Sequence, residues 1–319
     1  VVGGENFAMK FYVGVTDNNR YNFLAKSKPD EVNFWRPGGG KSFKAIGPYD
    51  LFLFKLHSPL NYIAGGGLFV RYATLPVSLA WDAFREKNGA GDYNSFRNAI
   101  YKYRNTDPMR EPDPVIGCII LTYPFFFKRD EWIPIPKDWS PNIVQGKTYD
   151  TDTITGRSLY YQVLERLGRS AAEEVEGYLA GEEKTANRYG PGQLVYPRIG
   201  QGAFKVLVTE AYNRRCAVTG EKTLPVLEAS HIKPYSQGGP HSVANGLLLR
   251  RDIHALFDRG FITIDKDLHI EVSKRIKDYG NGREYYAYHG KKLAVVPDTV
   301  YEKPNPHFLQ WHNENVFLP

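Results

Sequence analysis

Two histidines and an asparagine stand close together in the stretch Leu227 to Asp265, each in a different local context. His231 follows an apolar run, Asn245 follows a loop rich in glycine, and His254 lies in a short amphipathic segment with Asp258 four residues on. An imidazole near its ordinary pKa takes up a proton at neutral pH, so His231 is a candidate general base. A hydrolysis would use such a base to activate water, together with a cation to neutralise charge on the group attacked and on the departing oxygen. Taken singly, a histidine on a strand is ordinarily structural and an asparagine after Gly-Gly is ordinarily turn chemistry.

The elements that must position these groups follow from the spacing of apolar residues. Alternation over Val226 to Ile232 predicts a strand, and Pro234 followed by Ser-Gln-Gly-Gly-Pro turns the chain out of it. Leu247 to Leu249 predicts a second strand. From Arg251 to Asp258 the apolar Ile253, Leu256 and Phe257 have helical spacing, so His254 and Asp258 share a neighbouring face. Gly260 ends that helix and Phe261 to Ile264 predicts another strand. Two strands and a helix can therefore gather residues that are distant in sequence.

The order His231, Asn245, His254 resembles the HNH endonuclease motif, the ββα-metal fold shared with colicin nucleases and many restriction and homing enzymes. The flanks fit as well: Arg215-Cys-Ala-Val-Thr-Gly220 before it, Asn245-Gly-Leu-Leu-Leu-Arg250 within it, and Leu256-Phe-Asp-Arg-Gly260 after it. The resemblance implies that Asn245 orients the loop through hydrogen bonds and that His254 binds a divalent metal, Mg²⁺ or Mn²⁺, with other transition metals admissible. Many members carry Asp or His just before the base as a second ligand. Here Ser230 stands in that place, a poor ligand, which leaves the cation to lean on water, Asp258 or Glu228.

The chain has 319 residues, enough for two domains with cores of their own. A hydrophobic share of 42% and a charged share of 24% belong to a soluble globular protein, with no run as long as a membrane span and no charged leader ahead of an apolar stretch. The expected location is cytoplasmic, with no membrane partner. The two cysteines, Cys118 and Cys216, are unpatterned, and Thr219 stands where a CxxC partner of Cys216 would be, so no structural zinc is expected. The net charge of +6 favours a polyanionic partner. Lys274, Arg275, Lys277, Arg283, Lys291 and Lys292, interleaved with tyrosines, form a candidate phosphate-backbone face whose bland alternative is a solvated hairpin.

Residues 1–150 have a different texture. Lys10 to Val15, Leu51 to Leu56, Tyr62 to Tyr72 and Val115 to Leu121 predict strands, with helices at Val77 to Asn88 and Tyr93 to Tyr103, an α+β module on a curved sheet or small barrel. Aromatics beside turn residues, above all Asn33-Phe34-Trp35-Arg36 before Pro-Gly-Gly-Gly, are candidates to stack on a base and read its edge; core packing is the plainer role for each tryptophan. The strand pattern, that loop, and the GD-like segment Gly47 to Lys55 resemble the PUA-like superfamily, which includes SRA and EVE domains holding a modified and often flipped base. A reader of this kind ahead of an HNH domain resembles modification-dependent restriction endonucleases.

The expected organisation is thus a PUA-like domain over 1–150, a helical linker over 151–195, with Thr155 to Ala180 periodic, and an HNH domain over 196–319 in which Ala203 to Tyr212 is a helix. The expected activity is cleavage of double-stranded DNA at a modified, cytosine-derived base, by a homodimer at least on DNA. The alternatives are a nicking or homing-type HNH enzyme indifferent to modification, and a DNA-binding protein with a relic HNH fold. In the C-terminal tail, His307 and His312 lie among Trp311, Phe308 and Phe317, which predicts a docked helix and not a second metal site.

Overall fold

Apolar runs buried on both sides build the first unit. In the computed structural model, which describes residues 8–39, 42–180, 199–280 and 282–319, the chain divides into two units, 1–197 and 198–319. The first contains, in order, β1 (Lys10–Thr16), α1 (Asn18–Ser27), β2 (Glu31–Arg36), β3 (Leu51–Leu56), β4 (Tyr62–Pro76), α2 (Val77–Phe84), α3 (Tyr93–Arg104), β5 (Val115–Phe126), β6 (Ile133–Pro134), β7 (Gly146–Asp150) and α4 (Ile154–Ala180). The strands form one sheet in the order β2-β5-β4-β3-β1-β7, with β6 pairing β4. β1 and β3 run parallel and the other pairs antiparallel. Among the described residues β2 and β7 do not pair, so the sheet is open; register shifts within β4 add local twist.

Side chains alternate across this sheet, and both faces are covered. Phe52, Phe54 and Leu56 of β3 join Phe34, Phe43 and Leu121 in one core, while Leu53 points to a second core with Phe11, Val13, Ile63, Leu159 and Val163. A strand buried on both sides reads as an unbroken hydrophobic run, as Leu51–Leu56 does. Two expectations need correction. Asn33 to Arg36 form the end of strand β2, not a loop, because Phe34 packs on one face while Trp35 packs on the other against Phe96. The first turns of α4 are no connector either: Leu159 and Val163 are fully or almost fully buried in the sheet's own core. The rest of the expected linker, 181–195, lies outside the described residues. The glycines 65 and 66 of β4 admit backbone and not ligand, since a Cβ there would stand 2.3 Å from the carbonyl oxygen of Phe125 and 2.5 Å from that of Phe52, respectively.

The second unit contains α5 (Gln201–Ala211), β8 (Leu227–His231), β9 (Gly246–Arg250), α6 (Arg251–Asp258), β10 (Ile262–Ile264), β11 (Ile270–Val272), α7 (Arg283–Tyr286) and α8 (Pro306–Asn315). β8 and β9 pair antiparallel, with His231 opposite Gly246 and Glu228 opposite Leu249. α6 follows β9 directly, its Ile253 and Phe257 buried, and it stops at Gly260, where a φ of +75° and a Cβ that would stand 2.0 Å from the Val316 carbonyl oxygen exclude a side chain. The sequence between β11 and α7 forms a 3₁₀ turn instead of a hairpin strand. Helix α8 docks through His312. Its ring stacks on Phe257 at 3.8 Å between centroids, Nδ1 lies 2.8 Å from the Thr263 hydroxyl, and Nε2 lies 3.1 Å from the Phe257 carbonyl.

Candidate active site

β8 delivers His231 at its end, where the ring stacks on Phe204 of α5 with centroids 3.9 Å apart and planes at 11°. Its Nε2 lies 2.9 Å from Nδ1 of His241, and His241 is in turn stacked on Tyr235 at 4.5 Å. Burial, and then the charges of His241 and His254, push the His231 pKa down to about 4, so the ring is neutral at pH 7 and has a lone pair available. One proton lies on the axis between the two rings. If His231 is to accept a proton at Nδ1, Nε2 must carry hydrogen and donate it to His241, which then fixes the tautomer of the base.

The loop between β8 and β9 is held by Asn245. Fully buried, its Oδ1 accepts the Lys233 N–H at 2.9 Å, while Nδ2 donates to the carbonyls of Lys233 (2.9 Å) and Pro240 (3.0 Å). Three bonds from one amide close the loop that carries His241.

α6 brings His254 between two carboxylates. Glu228 Oε2 lies 2.8 Å from Nδ1 and Asp258 Oδ2 lies 3.2 Å from Nε2, the latter pair made by the one-turn spacing on the helix. At Glu228 burial, which alone would raise its pKa, is outweighed by the hydrogen bonds from His254 and Arg251, so it stays ionised. At Asp258 burial wins and raises the carboxyl above its ordinary value, opposed by His254 and Arg259. The donor set suits a divalent ion. His254 Nε2 and Asp258 offer nitrogen and oxygen on one side, and Glu228 takes the other ring N–H in the manner of a carboxylate orienting a metal-binding histidine. Among the described residues no group of three or more His, Cys, Asp or Glu side chains could hold an ion by itself, which leaves further positions to water and phosphate oxygen. Ser230 is buried and its hydroxyl donates to the His231 carbonyl at 3.4 Å. Cys216 accepts the backbone N–H groups of Thr219 and Arg250.

The six expected backbone-contact residues, Lys274, Arg275, Lys277, Arg283, Lys291 and Lys292, are all exposed. Two of the tyrosines among them are committed internally: Tyr286 donates to the Ser273 carbonyl at 2.8 Å and Tyr285 to Asp252 at 3.3 Å, so neither hydroxyl is a ready phosphate donor.

In the first unit, Phe34, Trp35 and Arg36 line a cavity of about 660 Å³ that also touches Tyr12, Asp17, Arg20 and Tyr103. Asn33 does not line it. Its amide donates to Asn88 Oδ1 at 2.8 Å and to Cys118 Sγ at 3.4 Å inside the core. Trp35 gives its N–H to the Asn88 carbonyl at 2.9 Å.

Residues 216–265 match the family model described as HNH endonuclease, and that span takes in β8, β9, α6 and every residue of the His231, Asn245, His254 constellation. The second unit carries an HNH endonuclease domain. The chain is accordingly a DNA endonuclease, of a kind that generally uses a divalent metal ion. No curated protein matches the chain. Among solved structures it is similar to a protein titled "Modification dependent TagI restriction endonuclease", with 14% identity over 90% of this chain and 75% of that one, at a TM-score of 0.27. Sequence reasoning about the HNH domain overlooked His241 and Phe204. Phe204 looks like any core aromatic, and His241 follows Gly-Gly-Pro in what reads as a turn; only the fold sets either against His231.

Proposed function

We propose that this endonuclease is a modification-dependent restriction enzyme, in which the first unit admits a modified, cytosine-derived base and the HNH domain hydrolyses DNA phosphodiesters. What supports the recognition half is the cavity walled by Phe34, Trp35 and Arg36, whose volume lies in the range of about 300–1,000 Å³ usual for small-ligand pockets. A modification can be enclosed on all sides only when the base leaves the stack, and a pocket of aromatic walls receives such a base by stacking.

For cleavage, His231 takes the proton of the attacking water at Nδ1, with Phe204 fixing the plane of its ring and His241 its tautomer. Asn245 keeps the loop closed so that His241 stays in reach. His254 and Asp258 would hold Mg²⁺ or Mn²⁺, and Glu228 would orient His254; Ser230, buried with its hydroxyl on the His231 carbonyl, is not the ligand the sequence suggested. When bound, such an ion supplies Lewis-acid stabilisation of the phosphate and the leaving oxygen. The exposed lysines and arginines from Lys274 to Lys292 neutralise the backbone of double-stranded DNA without reading its sequence.

The test is digestion of two DNAs of identical sequence, one enzymatically modified at cytosine and one not, with cleavage rates compared at fixed salt. Preferential cutting of the modified DNA is expected. Equal rates would leave a nuclease whose first unit serves another purpose.

A further inference from the structure

Among the described residues, Arg20 alone has two buried side-chain nitrogens without a hydrogen-bond partner. Helix α1 is capped by Asp17, whose Oδ1 accepts the N–H groups of Asn19 and Arg20, and this places the Arg20 side chain inward, 7% exposed. Its guanidinium lies over the Phe34 ring at 4.2 Å and the Trp35 ring at 5.0 Å, and Nη1 donates to the Trp35 carbonyl at 3.2 Å. Nε and Nη2 are shut away from solvent and have no acceptor among the described residues. Two buried N–H donors without partners are costly, and groups left in that state in a folded protein call for a functional explanation. Burial depresses the pKa to about 10, which still leaves the group charged at neutral pH.

The same side chain lines the 660 Å³ cavity, and a ligand there would meet its Nε–Nη2 edge once the side chains that now cover that edge shift aside. Beside it Asp17 presents the carboxylate whose Oδ2 accepts the Tyr103 hydroxyl at 2.7 Å. A carboxylate next to the guanidinium disfavours a free anion such as phosphate as the occupant. It favours a neutral ring that carries both acceptors and a donor.

Resting on the reading of this unit as a base-recognition module, we propose that Arg20 is its reading residue and that the cavity takes a nucleobase whose edge presents two adjacent acceptors. The Nε–H and Nη2–H fork matches such an edge as it matches a carboxylate. Guanine offers O6 beside N7, and cytosine offers O2 beside N3. On adenine each ring acceptor next to the exocyclic group is paired with an amino donor, and on thymine the carbonyls flank a ring N–H. Adenine- and thymine-type bases are thereby rejected, and a cytosine-type base would further direct its amino group to Asp17.

The experiment measures binding of free nucleosides to the full chain by tryptophan fluorescence and by saturation-transfer NMR, so that neither DNA sequence context nor cleavage enters. The probes are 2′-deoxycytidine, its 5-methyl derivative, 3-deaza-2′-deoxycytidine, 2′-deoxyguanosine, 2′-deoxyadenosine and thymidine. Saturable binding is expected for a cytosine or guanine nucleoside and about tenfold or more weaker binding for adenine and thymine nucleosides. If cytosine is the base bound, the 3-deaza analogue, which lacks the N3 acceptor, falls with the weak group. Arg20→Lys keeps the charge, removes the fork, and should abolish the discrimination. Val144→Trp, at an exposed position on the cavity lining, should block binding without touching the core. The proposal is overturned if no nucleoside binds, if all four base types bind alike, or if both variants, each with a wild-type thermal transition, bind as the parent does. Selective binding combined with equal cleavage of modified and unmodified DNA would sink modification dependence and leave the role of Arg20 standing.

Discussion

At the scale of single residues, the HNH site depends on what stands behind its two central imidazoles. His231 would be an ordinary half-buried histidine without His241 beside its Nε2, and His254 would keep only Asp258 at Nε2 without Glu228 on Nδ1. Glu228→Gln keeps the size of the side chain and a carbonyl acceptor but removes the charge that steadies His254 and neutralises Arg251. Loss of such an outer partner usually costs 10–100-fold in metal affinity or activity, so cleavage should fall by about that factor and recover in part at higher Mg²⁺ or Mn²⁺. His254→Ala should fall much further with no such recovery. Rates measured across a divalent-ion titration separate the two cases, and a Glu228→Gln enzyme with an unchanged titration curve would reduce Glu228 to a surface ion pair.

At the scale of elements, helix α8 shows how a tail histidine became a fastener. Buried His312 is held neutral, its pKa pushed down to about 4 by desolvation, with its hydrogen bond to the Phe257 carbonyl pulling the other way. The unfolded chain protonates this ring near 6.5 and the folded one only near 4. Its contribution to stability is therefore complete above pH 6.5 and is lost as pH falls towards 4, a swing on the order of 2–3 kcal/mol. Thermal or urea unfolding at pH 7.5 and pH 5 should show a smaller pH-dependent loss in His312→Gln than in the parent, and equal losses would show that the ring is not the titrating group. The sequence made some elements legible and hid others for physical reasons. β3 and α6 stand out because apolar spacing and burial agree over their whole length. β2 does not, since the buried polar Glu31 and Asn33 interrupt its apolar run and its aromatics lead straight into Pro-Gly-Gly-Gly. α1 is hidden too: only Arg20, Tyr21 and Leu24 of its ten residues are buried, and one of those three is a cation. That is also why the cavity could be anticipated from Phe34, Trp35 and Arg36, while Arg20, which lies on the first two rings, and Asp17, which caps its helix, could not. In the HNH unit the motif residues were legible by spacing, whereas the partners His241 and Phe204 come from other segments and meet His231 only through pairing of β8 with β9 and packing of α5.

At the scale of the whole molecule, one HNH site per chain sets a limit on what one chain can do. The single base and single metal position proposed above would act on one phosphodiester, and the two strands of a duplex present their scissile phosphates with opposite polarity. Cutting both therefore takes two chains or two binding events, and we expect two chains to assemble on the DNA. With supercoiled plasmid carrying the modification, nicked circles should appear first at low protein concentration. Linear product should then rise more steeply than in proportion to protein, and a catalytically dead His231→Ala chain added in excess should trap DNA at the nicked stage by forming mixed pairs. With the exposed basic residues between Lys274 and Lys292 on the backbone, as proposed, both stages should be salt-dependent, because each phosphate contact releases counterions. Raising salt should weaken binding to modified and unmodified duplex by similar factors while the ratio between them persists, since that ratio would reside in the cavity and not in the charges. Linear product growing in strict proportion to protein, and untouched by the His231→Ala chain, would mean that one molecule turns over twice on the same duplex.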